Sequence, residues 1–128
     1  MISIRKELRE GLTTATGLEV YFTQPPVNVD ITIPLLILEE KSNRQHYRDM
    51  NGQMECVELT YDVSIYTNQP SQLFDLMESV DGYLFSIGLN RIYTSADLNM
   101  DNTLWCRTMT YQCKACIMPN ETDIHIRK

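Results

Sequence analysis

The chain has 128 residues, 43% of them hydrophobic and 22% charged, which fits one globular domain with its own core and excludes a chain disordered throughout. Eleven Lys and Arg against 17 Asp and Glu leave a formal net charge of -6 with no basic stripe, which argues against wrapping duplex DNA by phosphate neutralisation. The longest apolar run, residues 33–38, contains Pro34 and is far shorter than the roughly 20 residues a membrane-spanning helix needs, so no membrane partner is expected.

Residues 2–16 place Ile4, Leu8, Leu12 and Ala15 on one face at helical spacing, with Arg5, Lys6, Arg9 and Glu10 facing away. The same charges deny this segment the apolar core of a secretory signal, so a soluble, intracellular protein is expected. Gly17 predicts the helix stop, and residues 18–22 alternate as a first strand. Pro25 and Pro26 make residues 23–29 a loop. The aliphatic run Leu35, Leu36, Ile37 and Leu38 suits a strand buried on both faces or by a neighbouring subunit. Residues 41–53 are polar apart from Tyr47 and Met50, and the Asn51-Gly52 turn signal marks a projecting hairpin arm.

The clearest strand is 54–67, where Val57, Leu59, Tyr61, Val63 and Ile65 share one parity and Glu58, Thr60, Asp62 and Ser64 the other. Ser71 is the expected N-cap of a second amphipathic helix, with Leu73, Leu76, Met77, Val80, Leu84 and Ile87 on its apolar stripe and Gly88 as its end. Strands at 90–96 and 104–118 follow, joined by a turn at 97–102, with Met109, Tyr111 and Trp105 on the core parity. Residues 119–128 show no core pattern and are expected as a flexible tail that orders against a partner. The order of elements predicts one α+β domain: a mostly antiparallel sheet of about five strands with two amphipathic helices packed on it.

Little chemistry is legible. The glycines at 11, 17, 52, 82 and 88 form no phosphate loop, and no nucleophile is paired with a base, so neither a cofactor nor an enzyme activity is expected. Cys113 and Cys116 form a CxxC, but on a strand they point to opposite faces, so no metal site is expected and all four thiols are expected to be structural and reduced. Asp97 to Asp101 mimics the opening of a calcium loop without its later Gly and Glu. Arg44, His46, Tyr47, Arg48 and Met50, in the polar arm, are the candidates for a protein contact.

The segments MISIRKELREGL, VYF, PLLILEE and VELTYDVSIYTNQPSQLFDLMESVDGYL, in this order, resemble the small tail terminator or tail completion proteins of long-tailed bacteriophages and prophages. The resemblance covers residues 2–117. It implies a homo-oligomeric ring, usually hexameric, at the tail–neck junction of the virion, assembled in the host cytoplasm. Its partners would be the tail tube protein and the head connector or neck protein, with DNA passing through the lumen without specific binding. Glu39, Glu40, Glu55, Glu58 and Asp62 are the candidate lumen residues, because carboxylates repel a passing phosphate backbone. A neck adaptor, minor capsid or tail tube protein, or a small ligand-binding α+β domain, are the alternatives.

Overall fold

In a computed structural model, the described residues are 4–22, 34–48, 55–96, 98–100, 104–117 and 124–127. They form α1 (Arg5–Thr16), β1 (Val20–Phe22), β2 (Leu35–Arg48), β3 (Glu55–Thr67), α2 (Pro70–Ser86), β4 (Asn90–Thr94), β5 (Leu98–Met100), β6 (Leu104–Ile117) and β7 (Ile124–Arg127). The sheet runs β1-β2-β3-β6-β4, parallel between β1 and β2 and antiparallel elsewhere. Three short strands tile the far side of β6: β5 opposite residues 104–106, β4 opposite 109–112 and β7 opposite 114–117. The fold is α+β with a mostly antiparallel sheet, as the alternation of periodicities predicts.

The core lies between the sheet and both helices. Leu8 and Leu12 of α1 and Leu73, Met77, Val80 and Leu84 of α2 meet the odd-numbered residues of β3 from Val57 to Ile65, with Met109 and Tyr111 of β6. α1 lies over β1 and β2, and α2 over β3, β6 and β4. All of Leu35, Leu36, Ile37 and Leu38 are buried, so this run is covered on both faces within one chain. Trp105 is only half-buried, unlike Met109 and Tyr111 on its parity.

Helix ends follow backbone chemistry. Gly17 adopts φ 72 and its N–H donates to the Thr13 carbonyl. At the end of α2, Leu89 N–H donates to the Leu84 carbonyl and Gly88 N–H to that of Phe85, with Gly88 at φ 105, a Schellman closure sealed by buried Leu89. Ser71 is not the N-cap. Gln69 holds that position with Pro70 at N1, and buried Thr67 organises the turn, its hydroxyl accepting from Gln69 N–H at 3.1 Å and donating to Gln72 Oε1 at 3.1 Å.

Three further expectations change. Residues 41–48 belong to β2 and pair with β3 through two register shifts, so the segment up to Arg48 is part of the sheet. Residues 98–100, expected as turn, form β5 against the start of β6. Residues 124–127 are not left for a partner to order: β7 pairs with β6, and Ile124 and Ile126 pack on the core.

The thiol expectation also needs correction. Cys56 and Cys116 are joined by a disulfide, while Cys106 and Cys113 are free and buried. The physical reason is register: Cys56 and Cys116 are directly opposed on β3 and β6, with Cα atoms 4.1 Å apart. The CxxC spacing is therefore incidental, since Cys113 faces the helices and Cys116 the other side of the sheet.

Candidate functional site

The face of the sheet turned away from the helices is a polar network crossing β2, β3 and β6. Strand alternation puts Glu58, Thr60, Asp62 and Ser64 on it. Asp62 accepts from the Thr110 hydroxyl at 2.6 Å and lies 3.9 Å from Lys41 Nζ, itself 3.5 Å from Glu39. Gln112 donates to Glu58 at 3.1 Å, and the hydroxyls of Ser64 and Thr108 share a 2.8 Å bond. The register sets Glu58 between Arg44 of β2 and Lys114 of β6. Three of the five candidate lumen carboxylates, Glu39, Glu58 and Asp62, thus meet on one face, where Lys41, Arg44 and Lys114 balance them. Glu40 lies on the opposite face and accepts from Tyr61 at 2.8 Å. The side chain of Glu55 lies outside the described residues.

Of the candidate contact residues, Arg44 is exposed on this polar face. His46 falls in the second register shift, and Tyr47 and Arg48 are paired with Cys56 and Glu55 by their backbones. Their side chains, and Met50 altogether, lie outside the described residues, as do Asp97 and Asp101.

A second surface was not singled out in the sequence. Phe74, Phe85, Ile92 and Tyr93 are 64%, 71%, 54% and 62% exposed. Phe74 and Phe85 share one flank of α2. Residues of a helix advance by about 100° each, so Phe74, Phe85 and Glu78 lie about 20°, 40° and 60° round α2 from Asp81. Asp81 turns toward β4, its carboxylate 3.8 Å from Arg91 and accepting from Tyr111 at 2.9 Å, whereas Tyr83 turns the other way, over Gly11 of α1. Ile92 lies at the same edge, in the bulge of β4 between Arg91 and Tyr93, whereas Tyr93 pairs with Thr110 and so lies on the polar face of the sheet. The signal available in the sequence was phenylalanine off the apolar stripe of an amphipathic helix, at positions 74 and 85.

Neither free thiol is set up as a nucleophile. Burial pushes the Cys113 thiol up to about 11, and raises that of Cys106 despite hydrogen bonds from Tyr66 and Thr108. No three His, Cys, Asp or Glu among the described residues are grouped as metal ligands. An open groove of about 380 Å³ lies between the helices, lined by Glu7, Glu10, Gly11, Thr14, Ala15 and Tyr83. It gathers two carboxylates one turn apart and a phenol raised by burial, without an opposing group to complete a reactive pair. No helix among the described residues is long and apolar enough to cross a membrane. No family model matches the chain, and no curated protein matches it in sequence.

Proposed function

We propose that this chain is a structural subunit that assembles with itself into a ring, serving as a phage tail terminator between the tail tube and the head connector. The observation that carries self-assembly is the apolar flank of α2 beside β4, where Phe74, Phe85 and Ile92 are left exposed by the chain's own fold. The terminator role rests on the sequence resemblance. In this reading the polar sheet face is suited to line the lumen: three carboxylates balanced by three cations present little net charge, so DNA slides past without adhering.

Two experiments test the proposal at its two levels. Phe74→Ser with Phe85→Ser should abolish the oligomer while circular dichroism stays native; a variant that still assembles removes the flank from the interface. Added to polymerising tail tube subunits, labelled protein should appear at one tube end under the electron microscope. Labelling along the whole tube, or none, contradicts the terminator role.

A further inference from the structure

We infer that the flank of α2 and β4 docks onto the α1 and β1 edge of a second copy, head to tail, as the contact that builds the ring; this rests on the self-assembly reading above. Among the described residues the sheet ends in β1 on one side, while β4 lies on the far side of β6. Since β2 and β1 run together and β3, β6 and β4 alternate from them, β4 is antiparallel to β1. Two copies side by side in the same orientation would therefore bring β4 of one antiparallel to β1 of the next. The same step sets α2 beside the neighbour's α1, both on one side of the continued sheet.

Charge selects this pairing. The helical wheel turns Arg5, Arg9 and Lys6 to the side of α1 away from α2, and Arg5 and Arg9 stack over Phe22 of β1 at 5.9 and 5.1 Å from its ring centre. Glu7 and Glu10 instead line the groove toward Tyr83. Counting exposed Glu19, the β1 edge carries three basic groups against one acidic among the described residues. Helix α2 carries Asp75, Glu78 and Asp81 and no basic residue, and Asp81 faces Arg91 of β4. Arg5 and Lys6 also sit in the first turn of a helix, where the dipole disfavours cations, so their placement is unexplained by the helix itself. Two copies meeting flank to flank through α2 would oppose Glu78 and Asp75 to their own equivalents, which disfavours the symmetric alternative.

The test is a charge swap read by sedimentation velocity. Glu78→Lys and Arg9→Glu, both at exposed helix positions, should each raise the concentration for half-assembly at least about tenfold at low salt. Because Arg9→Glu also removes the contact with Phe22, native circular dichroism and an unchanged unfolding midpoint of that variant are required before weakened association is read as loss of the contact. An equimolar mixture of the two variants should assemble again, because the introduced lysine of one variant would meet the introduced glutamate of the other, and the Glu78 and Arg9 that each variant retains would still meet in alternate contacts. Unchanged assembly of both variants, or no recovery on mixing, overturns the head-to-tail contact while leaving self-assembly by another surface standing. Wild-type protein that remains a monomer throughout overturns both.

Discussion

Tyr61 illustrates how one hydroxyl ties three segments together. Fully buried on β3, it accepts from Ile4 N–H at 3.4 Å and donates to Glu40 at 2.8 Å, linking the start of α1 to β2. Tyr61→Phe keeps the ring and removes these bonds, so it should destabilise the fold by about 1–2 kcal/mol in denaturant titration. No loss would mean that water replaces the hydroxyl at both partners. Glu40, held on the helix face by this bond, is thereby removed from the wall that Glu39, Glu58 and Asp62 form.

A half-buried phenol and a buried thiol make a second prediction at the same scale. The Tyr66 phenol is pushed from 10.0 up to about 12, by burial first and then by its hydrogen bond and charge interaction with Cys106, while burial alone pushes Cys113 from 9.0 up to about 11. Raised values mean that the folded state favours the protonated forms. Their stabilisation is complete below about pH 9 and is lost as pH rises through 9–12. Unfolding midpoints should fall across that window, and Cys113→Ala should flatten the part between pH 9 and 11. An unaltered slope would contradict the burial argument.

Cysteine pairing was invisible in the sequence because it depends on register, not on spacing. Cys56 and Cys116 are 60 residues apart, and only the pairing of Glu55 with Ile117 brings them opposite each other. Closing such a loop stabilises a fold by about 4 kcal/mol on chain-entropy grounds. Denatured, unreduced protein should take up two iodoacetamide groups, and four after reduction; four without reduction would contradict the bridge.

Among the elements, the contact between α1 and α2 turns on Gly11. A Cβ there would fall on the ring tip of Tyr83, so the helices meet closely at this point. Gly11→Ala raises helix propensity by about 1 kcal/mol, a gain that displacement of the tyrosine ring tip should reduce. In a Tyr83→Ala background the same change should stabilise. Additive effects in this double-mutant cycle would show that the two residues do not meet.

Strong periodicities made the elements readable. The strict alternation from Val57 to Ile65 and the 3.6-residue stripe from Leu73 to Leu84 gave β3 and α2 almost to the residue. Polar strand was harder: residues 41–48 look like loop because one face is solvated and the pairing partner supplies the order. Strand β7 is four residues long, too short for a period, and is defined by the free side of β6. The sequence likewise indicated which carboxylates share strand parity, but not the cations set opposite them, since that also depends on register.

At the scale of the whole molecule, charge is distributed in a way that net charge conceals. A chain at -6 has a balanced sheet face, a basic α1 flank and an acidic α2. If the balanced face lines a lumen, Glu58→Lys with Asp62→Lys should make assembled rings hold linear duplex DNA in a salt-sensitive way. Closed circular DNA, which cannot thread, should not be held. Equal retention of both forms would place that face on the outside.

Self-assembly is the claim on which the proposed function stands, and sedimentation velocity of the wild-type chain over a wide concentration range tests it most directly. One oligomer of fixed size is expected, which stops growing as concentration rises, since a head-to-tail contact closes when its rotation completes a circle. A sedimentation coefficient that stays at the monomer value up to about 100 µM, well above the micromolar range of weak specific association, would contradict it.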